Sequence, residues 1–144
     1  MKLNIVAVGS LSKEYQVLFN DYVKKIEFFC KVNVIEIKEQ KIDNIELKIK
    51  KETEMILSKI PKNSNVIYLS TKAKQYDSVE FASLFTNIDN TTFVIGGSNG
   101  VDESYFERKV NFSKMTFPHQ LFRVMLIEQI YRGFSIVNNI KYHK

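Results

Sequence analysis

Four short apolar runs limit what this chain can fold into: "LNIVAVG" (3–9), "VNVIEI" (32–37), "NVIYLS" (65–70) and "TTFVIGG" (91–97). The first and the last two are almost continuously apolar instead of alternating. A strand with that pattern buries both faces, as strands of a parallel sheet do beneath helices on either side. The intervening stretches have helical spacing. Residues 12–29 place Tyr15, Leu18, Phe19, Tyr22, Val23 and Ile26 three and four apart behind Ser12, a suitable N-cap. Residues 43–60 are weakly amphipathic and stop at Pro61, residues 77–88 give a third helix, and "DESYFERK" (102–109) gives a short fourth. Strands alternating with helices define an α/β chain. After a short strand-like stretch at 110–117, a last helix spans 118–137, with Pro118 in its first turn and Thr116 as a nearby cap. Leu121, Phe122, Val124, Met125, Leu126, Ile127, Ile130, Tyr131 and Phe134 cover most of its circumference. Such a helix is buried on more than one side, either by a second copy of the chain or between the sheet and other helices of one chain.

At 144 residues without linker, repeat or low-complexity segment, residues 1–144 are read as one domain. No apolar run approaches the roughly 18 residues of a membrane span. The opening "MKLNIVAVGSLSKEY" reads as a first strand, not a signal sequence, so the expected location is cytoplasmic. One cysteine and two histidines leave no intrachain disulfide and no structural zinc site, and no metal is expected. Cys30, after two phenylalanines, reads as a small core residue. The net charge of +5 is unevenly spread. Arg108, Lys109, Lys114, Arg123, Arg132, Lys141 and Lys144 face a single acid, Glu128, in the last quarter. That basic quarter suits a polyanionic partner or a solvated surface.

Three of the five glycines, Gly96, Gly97 and Gly100, fall inside "FVIGGSNG" (93–100). The cluster fails as a dinucleotide fingerprint. Ile95 stands where the first glycine belongs, and "SKMTFP" lacks the ribose acid expected about 20 residues on. No Gly-Lys-Ser/Thr is present, which excludes a P-loop. What remains is a strand-to-helix loop, serving either a ligand that the backbone approaches closely or a tight turn. If the strands are parallel neighbours, this loop and residues 113–118 open at the same sheet edge, where α/β sheets bind ligands. Backbone amides and apolar walls with one lone lysine, Lys114, suit a flat uncharged ring better than a polyphosphate.

The blocks "FVIGGSNG", "NFSKMTFPHQLFRVMLIEQIYR" and "YHK", with "MKLNIVAVGSL" and "KETEMILSKI", resemble the ribosomal RNA large subunit methyltransferase H family of the SPOUT superfamily over nearly the whole chain. The resemblance implies an α/β, SPOUT-type parallel-sheet sandwich with a C-terminal deep trefoil knot that holds S-adenosyl-L-methionine (SAM). It implies a homodimer that methylates N3 of a pseudouridine in helix 69 of 23S rRNA, on the assembled ribosome. Carried over by motif, the cofactor residues would be Leu69, Gly97, Ser113, Lys114, Met115, Thr116, Phe117 and Pro118. Where the family usually shows an acid and then Gly-Lys, this chain reads "LSTKAK", with Ser70 at the acid position and Ala73 before Lys74. That departure keeps a second reading open, a non-catalytic knotted module that binds RNA in ribosome maturation. N3 of pseudouridine must lose a proton to attack, which calls for a base or a stabiliser of the anionic ring. His143 is the candidate base, on a C-terminal tail able to reach a partner. Arg123 and Arg132 are candidates for holding phosphate or developing charge. Glu128 and Arg132, four apart, also suit a plain intrahelical pair. Tyr142 either stacks on a base or packs, and His119 orients its loop.

Overall fold

The computed structural model describes residues 1–144. Five strands, β1 (Lys2–Val8), β2 (Lys31–Ile37), β3 (Asn65–Leu69), β4 (Asn90–Ile95) and β5 (Lys109–Val110), form one sheet in the order β2-β1-β4-β3-β5, and every pairing is parallel. The near-continuous apolar runs are the inner strands, as their pattern requires. Leu3, Ile5 and Ala7 face one core with Ile67, Phe93 and Ile95, and Val6 and Val8 face the other with Tyr68 and Val94. The alternating run is β2, an edge strand that fully buries only Ile37.

Helices α1 (Lys13–Ile26), α3 (Ser78–Ser83) and α4 (His119–Val137) cover the first core, and α2 (Ile45–Lys59) covers the second. Ser12 holds the N-cap position of α1 but its side chain caps nothing. Its N–H donates to Gln120 Oε1 instead, tying the starts of α1 and α4 together. On α1, Phe19 and Ile26 are buried, while Leu18, expected on the apolar face, is 49% exposed. Asn44 caps α2 through the Leu47 N–H, and the helix stops before Pro61.

Three expected elements are shorter than their patterns. The helix expected at 77–88 ends at Ser83, and Phe85 and Ile88 complete it only as turns. The expected helix at 102–109 is one 3-10 turn at Glu103–Tyr105. The strand-like 110–117 pairs with the sheet only at its start, because Phe112 leaves for an aromatic cluster with Phe81 and Phe122 at ring distances of 5.3 and 5.1 Å. Pro118 is the N-cap of α4, without a side-chain cap, so Thr116 does not fill that role.

The apolar circumference of α4 is accounted for largely within one chain. Val124, Leu126, Ile127, Ile130 and Phe134 are buried beneath α1, α3 and the sheet, leaving Leu121 and Val137 exposed. Gly133 lets α3 approach: a Cβ there would lie 2.6 Å from Phe85 Cζ. The helix ends in a left-handed turn at Asn139 (φ 55°), with the Ile140 N–H donating to Ser135 O.

The last connection crosses the sheet. From β4 the chain runs over the α2 face, where Val101 and Phe106 pack with Ile56 and Tyr68, and reaches β5 outside β3. The earlier β3–β4 connection carries α3 on the opposite face. Asn111 then lies against loop 70–76. It donates to Lys74 O from its backbone and to Thr71 O from its side chain, and it accepts from the Tyr76 N–H.

Candidate cofactor site

The carboxyl ends of β3, β4 and β5 release three loops, 70–76, 96–101 and 111–118, around a cavity of about 340 Å³. That volume is at the small end of the range for small-molecule sites. Among the residues expected there from sequence, Leu69, Gly97, Ser113, Met115, Thr116 and Phe117 line it. Lys114 and Pro118 do not; both are exposed on the same loop. The loop is stiffened from within: Ser113 N–H donates to Asn111 Oδ1, and Met115 N–H donates to Ser113 Oγ.

The glycine loop turns back through a Gly100 N–H to Gly97 O bond of 2.9 Å, with Gly100 at φ +77°. Gly100 therefore serves the turn. Gly96 sits tightly, since a Cβ would meet Val101 and the Tyr68 hydroxyl at 3.0 and 3.1 Å. Gly97 is needed for a reason the sequence did not reveal. Its missing side chain would point at Glu52 Oε1, 2.6 Å away, and at Val8, 3.2 Å away. Gly97 pairs with Gly100 as an isolated antiparallel bridge, while the N–H groups of Ser98 and Asn99 donate to no carbonyl or side chain of the protein. They are available to a ligand.

The wall also includes Tyr68, Ser70, Glu103, Asn111, His119 and Phe122, none of them among the cofactor residues expected from sequence. Glu103 Oε1 accepts from Ser70 Oγ at 2.7 Å, and Ser70 Oγ accepts from the Lys72 N–H. An acid therefore stands beside position 70 although position 70 itself is serine. Burial, and secondarily the Glu103 carboxylate, push the Tyr68 phenol up to about 12, so it is a neutral hydroxyl. Lys72 is the one lysine or arginine in the lining, too few for a polyphosphate.

The candidate catalytic residues lie elsewhere. Arg123 is buried, paired with Glu36 and donating to Gly9 O, where it ties α4 to the ends of β1 and β2. Its hydrogen-bonding fork is already occupied, away from the cofactor cavity. Arg132 forms a two-pronged pair with Glu128, 2.6 Å at its closest, which raises its pKa further above its ordinary value. The tail folds back on this pair instead of extending free. Tyr142 donates to Glu128 Oε2 at 2.7 Å and sits under the Arg132 guanidinium, and His143 Nδ1 lies 3.2 Å from Arg132 Nη1. This cluster borders a cleft that shares Phe112, Ser113 and Phe117 with the cofactor cavity. Loop 112–117 thus separates the two.

No group of three or more His, Cys, Asp or Glu is placed to hold a metal ion, and no helix is long and apolar enough to cross a membrane. A parallel sheet with ligand loops at its carboxyl edge, a glycine loop without phosphate-binding cations, and a C-terminal helix buried behind them fit a methyltransferase of the α/β type. The chain belongs to the SPOUT methyltransferase family: residues 1–143 match the family described as "Predicted SPOUT methyltransferase". Its relatives are more specific in name. It is 66% identical to the ribosomal RNA large subunit methyltransferase H of Metamycoplasma arthritidis and 64% identical to that of Mycoplasmopsis synoviae, over all of each chain. The protein of that name from Clostridium tetani is 43% identical, again over both full lengths.

Proposed function

We propose that this chain is a SAM-dependent methyltransferase that modifies N3 of a pseudouridine in helix 69 of 23S rRNA on the assembled ribosome. The observation that carries the reading is the three-loop cavity, with free amides at Ser98 and Asn99, apolar walls and one acid, in a chain so similar to enzymes named for the large ribosomal RNA. These features suit the parts of SAM. Leu69, Ile95 and Phe117 offer apolar surface to the adenine, the Gly97 and loop 113–118 backbone offers its polar edge hydrogen bonds, and Glu103 suits hydroxyl or ammonium groups. Bound SAM supplies a methyl group on a sulfonium, and the protein must hold the nucleophile in line with it. Arg132, braced by Glu128, stabilises the deprotonated ring, and His143 beside it accepts the N3 proton.

The site is completed by a homodimer. Within one protomer, loop 112–117 stands between the cavity and the Arg132–His143 cluster, which supports delivery of that cluster to the partner's cavity. Exposed apolar side chains on the packed pair α1 and α4, Leu18 and Leu121 among them, supply an interface. The C-terminal segment forms a deep trefoil knot, a reading supported by the two crossovers on opposite faces of β3 and by the hydrogen bonds between Asn111 and loop 70–76. The enzyme acts in the cytoplasm, where its ribosomal substrate is. Calorimetry with SAM, followed by mass mapping of helix 69 from ribosomes of a strain lacking the gene, tests the reading. The expected results are saturable binding and a methyl group restored by protein plus SAM. No binding at millimolar SAM would leave only a non-catalytic RNA-binding module.

A further inference from the structure

Beneath the glycine loop lies a polar group that the reading above does not use. Glu52, on the inner face of α2, has no solvent exposure at all. Its Oε2 accepts the Gln40 N–H at 2.8 Å, while Oε1 has no hydrogen-bond partner. A buried carboxylate oxygen left unpaired is costly, so an acid kept there needs a reason. The direction of Oε1 supplies one. It points at Gly97, whose backbone comes so close that a Cβ would stand 2.6 Å from it. The unengaged amides of Ser98 and Asn99 belong to the loop that Oε1 faces.

One helical turn earlier, Lys48 bridges the same two loops. Its Nζ donates to Glu39 Oε1 at 3.0 Å and to Asn99 Oδ1 at 2.9 Å, and Ser98 Oγ also donates to Glu39 Oε1. Side chains four apart on a helix stack on one face. Lys48 thus fastens the 38–40 loop to the 97–99 loop at the surface, and Glu52 holds the 38–40 loop while facing Gly97 from the core.

We propose that Glu52, assisted by Lys48, is a positioning residue for the cofactor loop, setting the height and orientation of Gly97 so that the amides of Ser98 and Asn99 meet the ligand. The unpaired Oε1 is the acceptor that receives a loop amide as the loop closes on that ligand. Glu52 touches neither the methyl donor nor the base, so it acts on cofactor binding and not on methyl transfer itself. The proposal rests on the assignment of the cavity to SAM, and its test is built to fail separately.

Glu52→Gln preserves size and the Gln40 bond but removes the charge and one acceptor. It should raise the KM for SAM about tenfold, the worth of one well-placed hydrogen bond, with kcat within about twofold. Gly97→Ala alone should weaken SAM binding more strongly, because the new methyl collides with Oε1. Glu52→Ala combined with Gly97→Ala should bind SAM more tightly than Gly97→Ala alone, a non-additivity diagnostic of direct contact. Hydrogen exchange of the 96–100 segment without SAM gives a readout independent of the cofactor. At Gly100, whose N–H is held by Gly97 O, it should quicken severalfold in Glu52→Ala, which removes the side chain beneath Gly97, while protection of the strands is unchanged. Equal exchange in Glu52→Ala and wild type, equal KM in Glu52→Gln and wild type, or additive losses in the double variant, overturn the proposal. A wild-type protein that ignores SAM overturns the cofactor assignment instead, and the exchange measurement still decides the role of Glu52.

Discussion

At the scale of single residues, the chain satisfies one requirement from an unexpected place. Ser70 stands where the family resemblance leads one to expect an acid, and the Glu103 carboxylate accepts its hydroxyl hydrogen and lines the same cavity. No spacing rule would have paired residues 33 apart across two loops, and the same holds for Glu52 under Gly97. Leu69, the last residue of β3, and Gly97, two past the end of β4, were named from the family motifs, and both line the cavity at the carboxyl edge, where α/β sheets place ligand loops. Glu52 and Glu103 were not, because their roles arise from contacts between elements. Cys30 was legible as a core residue, and the fold adds chemistry to it. Burial, 8% exposed, pushes its thiol from about 9 up to about 11. Since the thiolate is the reactive form, Cys30 in the native protein should resist iodoacetamide at pH 8 and react readily once unfolded, as read by mass spectrometry. The linkage has a definite sign. The folded state favours the neutral thiol, so this contribution to stability is complete below the ordinary thiol pKa and is lost as pH rises through about 11.

At the scale of elements, strand positions followed from sequence to within a residue or two because continuous apolar runs have few alternatives inside a sheet. Lengths of the late elements did not. Residues 84–88 and 111–117 carry Phe85, Phe112 and Phe117, and these rings pack on Phe81, Phe93 and α4 instead of extending a regular element. The covering of α4 was the larger surprise. Its apolar circumference called for two partners, and α1, α3 and the sheet supply most of both. The α3–α4 contact depends on Gly133. Alanine there gains helix propensity of about 1 kcal/mol, but its methyl would meet Phe85 Cζ at 2.6 Å and Ala82 Cβ at 3.3 Å. Phe85 is fully buried and cannot swing away. Gly133→Ala should therefore lower stability by about 1–2 kcal/mol in urea unfolding, despite the better helix former.

At the scale of the whole molecule, the protomer divides the cavity from the Arg132–His143 cluster, and a second copy is the economical way to unite them. Leu121, 36% exposed at the start of α4, tests this. Leu121→Glu costs little in an isolated protomer but would bury an unpaired charge in an interface. It should sediment as a single 16.8 kDa chain and lose methyl transfer, while wild type sediments at twice that mass. The sheet order carries a consequence for the chain as it is made. β1 pairs with β2 on one side and β4 on the other. Its first neighbour leaves the ribosome about 30 residues after it, but its second begins only at Asn90. With no hairpin in the sheet, nothing local can take that place. For most of synthesis a strand of seven residues, apolar on both faces, has one open edge. Nascent chains of this protein therefore need a holding factor, or a slow late step, until residue 95 is free to close the gap.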